Sequence, residues 1–405
     1  MSGPAFLPLS TSQDLTNRWS REIKLGDQII YNPQEVDILQ FLSLSTLFIF
    51  TYVMPAIQAD FSFPGGVPQT PFPLHPSVVD KLDPVYKTFY QDSLSSLAAI
   101  CYTHRVPLAE IRAGGNVIPG QTPLSPLKET FDIKIPRKYT TGDEILSRVF
   151  VPDFPVPEGG FPCFLWYHGG GHVLGNIGTE NSYCSHIAEL AQCIVISVDY
   201  RLAPEHPFPA APDDAYESFL WTLEQAPEKL GVNPEKVSVG GSSAGGNLAA
   251  VVCHKYVNSD VSKTLPSIKL QLLVVPVTDC TAGPETYESW KEFELTPQLP
   301  AEKMLWYRAL YVPKEEDLTN PEASPLFYDD ASFKKNPPAF IAVAECDVLK
   351  SEGLIYGEKL AKNGVDVVAN IYKGCPHPVM VMDAVLEQGR ELLKDTSRAI
   401  KRSFE

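Results

Sequence analysis

The tightest constraint in this 405-residue chain is the run Lys236-Val-Ser-Val-Gly-Gly-Ser-Ser-Ala-Gly-Gly-Asn-Leu-Ala-Ala250. It reads as a buried strand through Val237 and Val239, a break at Gly240-Gly241, and a helix whose apolar residues run on to Tyr256. Inside it lies G-x-S-x-G, as Gly241-Ser242-Ser243-Ala244-Gly245. A serine on a sharp strand-to-helix turn lifts its hydroxyl above the sheet edge, and the flanking glycines let strand and helix pass closely. The first helical turn adds unpaired N–H groups and a positive dipole end, which suit a developing oxyanion. Ser243 is therefore the candidate nucleophile. The five-residue pattern also describes a plain turn of small residues, so its meaning depends on what else the chain supplies.

Around that stretch the chain alternates short apolar runs with helical ones. Alternating patterns at 131–135 and 145–151 predict two antiparallel strands. After Gly159-Gly160 come buried strands at 163–167, 194–198, 237–239, 270–275, 339–344 and 367–372. Helical stretches separate most of them, at 181–191, 213–224, 244–256 and 351–363, and a last amphipathic helix is expected from about Met380 to Phe404. Short continuous strands alternating with helices mean an α/β fold, with a mostly parallel sheet of eight strands covered on both faces. Residues 78–112 carry a helical pattern, and 282–311 interrupts the rhythm with large side chains such as Trp290, Trp306 and Tyr307. The latter is either a surface excursion with its own small core or a lid that shapes an apolar pocket.

Three further features fall where strands end. The strand at 163–167 runs into His168-Gly-Gly-Gly171, whose backbone can approach a ligand and aim N–H groups at it. Asp347 follows the strand at 339–344, and His377 lies in the loop after 367–372. Ser243, Asp347 and His377 thus occur in the chain order that a serine nucleophile, its acid and its base take in an α/β-hydrolase. Serine alone is a poor nucleophile, so His377 would take its proton while Asp347 fixes the imidazole tautomer. Glu345 and Asp279 also end strands and are the alternative acids. Asp199, Arg201 and Glu205 are expected to form one buried charge network beside the site. His206 reads as a packed loop residue.

These motifs resemble the hormone-sensitive-lipase-like esterases of the α/β-hydrolase fold. The resemblance runs from about Pro76 to the C-terminus and rests on His168-Gly-Gly-Gly171, Asp199-Tyr-Arg-Leu-Ala-Pro-Glu205, Gly241-Ser-Ser-Ala-Gly-Gly246, Asp347-Val-Leu349 and the loop at His377. It implies Ser243, Asp347 and His377 as the triad, and the N–H groups of Gly170, Gly171 and Ala244 as the oxyanion hole. It also implies a helical cap built from about 78–112 and 282–311 upon a hydrolase domain at 73–405. Three positions depart from the family pattern. Ser242 stands where an acid usually precedes the nucleophile, His172 where an aromatic or apolar residue follows the glycines, and Pro378-Val379 where Gly-Phe follows the histidine.

Composition narrows the partners. A formal charge of −16 disfavours nucleic acid and anionic membrane, both of which select basic patches. The eight cysteines show no CxxC pair and no His/Cys metal spacing, so neither a metal nor another cofactor is expected, and a reducing, cytoplasmic location is. Residues 1–72 read as an N-terminal extension. Its apolar run at 38–57 is near membrane-spanning length, but polar residues and weak basic flanks make membrane contact the less favoured reading. The expected function is hydrolysis of small to medium apolar carboxylic esters through an acyl-enzyme on Ser243. Lactone or amide hydrolysis and acyl transfer would use the same residues; a non-catalytic small-molecule receptor on this scaffold is the reading from another class.

Overall fold

The computed structural model describes residues 70–114 and 119–405, together with the backbone of Ile23–Leu25 and Gln28–Tyr31. The apolar run at 38–57 lies outside the described residues. Ten strands form one sheet: β1 (Ile23–Leu25), β2 (Gln28–Tyr31), β3 (Glu129–Ile135), β4 (Ile145–Val151), β5 (Phe161–Tyr167), β6 (Ile194–Val198), β7 (Val232–Ser242), β8 (Gln271–Val274), β9 (Ala339–Ala344) and β10 (Val367–Tyr372). Their order is β1-β2-β10-β9-β8-β7-β5-β6-β4-β3. The six strands from β6 to β10 in that order are parallel, while β4 and β3 continue antiparallel at one edge. The eight strands read from the sequence are all present. The hairpin β1–β2, added antiparallel to β10, was not foreseen.

Every residue of β6, β8 and β9 is buried, as two-sided cover requires. That cover comes from α1 (Asn181–Ala191), α2 (Ala210–Glu224), α3 (Ala244–Asn258), α5 (Lys350–Lys362) and α6 (Glu387–Ser403). Helix α4 (Ala301–Tyr311) stands apart, over the strand ends. The last helix starts at Glu387, later than expected. Residues Val379–Val381 instead form a tight 3₁₀ turn, and Asp383 is held by the Thr122 N–H at 3.1 Å.

The helical pattern at 78–112 resolves into short pieces rather than a long helix: Pro76–Val79, Pro84–Phe89, a π turn at Tyr90–Leu94, Ala98–Cys101 and Leu108–Ala113. Proline explains the breaks before Pro84 and at Pro107, because it has no N–H to continue a helix but suits the start of a new one. Asp83 caps the helix that Pro84 opens, accepting from the Val85 N–H at 2.7 Å.

The sequence order of the strands reverses between β5 and β7. From β5 the chain steps outward to β6; from β7 it steps the other way through β8, β9 and β10. Such a switch point opens a crevice at the carboxyl ends of the strands. Here the crevice receives both His168-Gly-Gly-Gly171, which follows β5, and Ser243, which follows β7.

Candidate active site

Ser243 sits between β7 and α3 with φ 54° and ψ −114°, a conformation L residues rarely adopt. Its N–H donates to the Val274 carbonyl at 2.8 Å, which anchors the turn to β8. No other residue type than glycine fits at 241 and 245. A Cβ at Gly245 would stand 1.9 Å from the Tyr167 carbonyl oxygen, and one at Gly241 would meet the Gly245 backbone at 2.2 Å.

Asp347 and His377, the expected acid and base, lie in contact. His377 Nδ1 lies 2.7 Å from Asp347 Oδ2, while Asp347 Oδ1 accepts the Leu349 N–H at 3.0 Å. Asp347 is fully buried behind the mostly buried His377 side chain, and His377 and Ser243 both line one cavity of about 340 Å³. The alternative acids are engaged elsewhere. Glu345 accepts from the Gly374 N–H at 2.8 Å, and Asp279 accepts from the Thr281 N–H and the Tyr287 hydroxyl.

The glycine loop lines the same cavity. Gly170 and Gly171 have φ of 125° and 63°, and their N–H groups meet no acceptor among the described residues. Ala244 opens the first turn of α3, where N–H groups are free of helical partners. The loop is held firmly: the Tyr200 hydroxyl donates to the His168 carbonyl at 2.8 Å, and the His168 ring stacks on Tyr200. His172 stacks on Tyr311 at 3.7 Å, so this departure from the family pattern still presents a flat ring. Burial pushes His172 down to about 3 and His168 to about 4, which keeps both neutral.

The carboxylate missing at position 242 is supplied from elsewhere, and the sequence reading overlooked it. Glu180, which directly precedes α1, is buried and lines the cavity. Its Oε1 accepts from Ser242 Oγ at 2.6 Å and from the Gly169 N–H at 3.2 Å; its Oε2 accepts from Trp166 Nε1 at 2.7 Å. Burial pushes its carboxyl up, and these three hydrogen bonds pull it part of the way back. The only hint in the sequence was a single acid shortly after the glycine loop, with no acid before Ser243.

The expected network of Asp199, Arg201 and Glu205 does not exist as one unit. Arg201 instead clamps the buried Asp214 of α2, with Nη2–Oδ1 at 2.7 Å. Asp199 accepts from the Ile177 N–H, and the half-exposed Glu205 pairs with Arg112 at 2.7 Å. Asp214 faces both Arg201 and Arg137 from a buried position, so it captures the guanidinium that sequence proximity assigned to Asp199.

The roof of the cavity comes from 78–112 and 282–311. They are joined to each other by Arg105–Glu302 at 2.8 Å, Gln298 Nε2 to the Tyr86 hydroxyl at 3.1 Å and Lys81–Glu292 at 2.9 Å. The Tyr307 ring lies against Gly171 so closely that a Cβ there would fall 2.3 Å from it.

A switch-point crevice, a strained serine turn and an Asp–His pair after late strands together define an α/β-hydrolase. A family profile described as alpha/beta hydrolase fold matches residues 164–381, and the chain belongs to that family, in its hormone-sensitive-lipase-like esterase branch. It is 56% identical over 337 residues to an AB hydrolase superfamily protein of Schizosaccharomyces pombe, spanning 83% of this chain and 98% of that one. An ethyl acetate hydrolase of Pseudomonas putida is 32% identical over 250 residues, 62% of this chain and 76% of that protein. Among solved structures, an esterase of Pyrobaculum calidifontis matches with a TM-score of 0.68 and 34% identity, covering 79% of this chain and 98% of the other.

Proposed function

We propose that this chain hydrolyses carboxylic esters of small to medium apolar substrates through an acyl-enzyme on Ser243. The carrying observation is the 2.7 Å contact of His377 Nδ1 with buried Asp347, facing the same cavity as the strained Ser243. With Nδ1 so engaged, Nε2 is the nitrogen left to take the Ser243 proton. Ser243 Oγ attacks the ester carbonyl, and the N–H groups of Gly170, Gly171 and Ala244 receive the oxyanion. His377 then protonates the leaving alcohol. Water, deprotonated by the same imidazole, attacks the acyl carbonyl and releases the acid and free Ser243.

Residues 73–405 form the catalytic domain in this reading, with 78–112 and 282–311 as its cap and 1–72 as an extension. Small-molecule esters are its partners. All eight cysteines are buried free thiols, which fits a reducing, cytoplasmic setting. Among the described residues no helix is long and apolar enough to cross a membrane.

A fluorophosphonate probe tests the nucleophile. Wild type should gain one adduct that maps to Ser243, and Ser243→Ala should gain none and turn over no ester. An adduct on another serine, or substantial turnover by the purified variant, would refute the assignment.

A further inference from the structure

The cavity is mostly apolar, yet its roof holds two buried polar groups that the proposed chemistry does not use. Lys303, the third residue of α4, is buried in the cavity wall. Its ammonium donates to the Gln298 carbonyl at 2.9 Å and the Ile100 carbonyl at 3.2 Å. An ammonium carries three protons, and the third has no oxygen or nitrogen acceptor among the described residues; the Tyr307 ring lies by the ammonium, with its centroid at 5.8 Å. Among the described residues no carboxylate pairs with it either; the nearby Glu302 is engaged with Arg105 and His104. A cation buried without an anion is costly, and the positive end of a helix adds to the cost. Burial accordingly lowers Lys303 to about 8.

Gln298 supplies the second group. Its Nε2 donates to the Tyr86 hydroxyl, but its Oε1 is buried without a hydrogen-bond partner among the described residues, and the residue lines the cavity. Its backbone stands at φ 70°, a conformation that L residues rarely adopt. A donor with one proton left over and an acceptor with no partner among the described residues thus stand on one wall, linked through the Gln298 carbonyl.

We infer that Lys303 and Gln298 form a specificity subsite for a hydroxyl group carried by the substrate, remote from its scissile carbonyl. A hydroxyl oxygen accepts from Lys303 Nζ while its hydrogen is donated to Gln298 Oε1, so one group satisfies both. A carboxylate would answer the cation but face the amide oxygen, and a methyl would answer neither. A site built to hydrogen-bond a substrate hydroxyl discriminates strongly against the analogue lacking it. The inference rests on the esterase reading and narrows it to hydroxyl-bearing esters.

The test compares kcat/KM for matched esters of graded length that end in methyl, primary hydroxyl or carboxylate, in one series on the acyl side and one on the alcohol side. In at least one series wild type should prefer the hydroxyl ester over its methyl partner by about tenfold or more. In both Lys303→Met and Gln298→Leu that ratio should fall toward one, and either variant suffices if the other does not fold. Equal rates for methyl and hydroxyl esters in wild type would overturn the subsite while leaving the esterase reading intact. So would a preference for the carboxylate ester, or a ratio that survives both substitutions. Failure of wild type to cleave any ester would overturn the esterase reading and this inference with it.

Discussion

Replacing Glu180 with glutamine tests whether the relocated carboxylate holds the site together. Glu180 Oε2 serves Trp166, while Oε1 serves both Ser242 and Gly169. An amide keeps one oxygen and turns the other into an NH2 donor, so in either orientation one buried N–H faces another donor. Leaving that N–H unpaired costs about 1–3 kcal/mol, and weakening the surviving bonds from charged to neutral acceptors costs about 1 kcal/mol more. Against this stands relief of the burial that pushes the Glu180 carboxyl up. The net expectation is a loss of about 2 kcal/mol, read from the urea midpoint at constant m-value. Because Ser242 and Gly169 adjoin the nucleophile and the glycine loop, kcat should fall by about tenfold with KM little changed. A variant as stable and as fast as wild type would refute the reasoning.

Three other outcomes are expected. Ser243→Gly should raise stability by about 1–3 kcal/mol in chemical unfolding, because glycine adopts φ 54° freely, while ester turnover is lost. Asp347→Asn should lower kcat by about 10⁴ with little change in fold by circular dichroism, since an amide at the 2.7 Å contact favours the wrong imidazole tautomer. His168 titrates at about 4 when folded against an ordinary 6.5, so its contribution is present above pH 6.5 and lost as pH falls toward 4. At pH 5 that amounts to about 2 kcal/mol. The stability difference between wild type and His168→Gln should shrink by that amount between pH 7.5 and pH 5; a constant difference would contradict it.

What was legible in the sequence was whatever depends on chain order and local pattern. The strands show as continuous apolar runs because the sheet is covered on both faces, and Ser243, Asp347 and His377 show because each follows such a run. Contacts between distant segments were not legible. Glu180 lies 62 residues from Ser242, and only its place shortly after the glycine loop hints at it as the substitute acid. Asp214 displaced Asp199 as the partner of Arg201 because burial decides ion pairing, and burial is a property of the assembled layers. The run at 78–112 misled for a different reason. Its apolar spacing records which residues face inward, whereas Pro84 and Pro107 decide where the helices after them must start.

The packing of Tyr307 on Gly171 means that roof and chemistry are not interchangeable modules. A ring fills the space in which any side chain at 171 would stand, so the backbone of the proposed oxyanion hole packs directly under α4. A ligand that lifts α4 would therefore slow acylation as well as loosen binding. For the same reason, exchanging 282–311 between relatives to change their substrate range requires carrying the glycine loop along as one heritable unit.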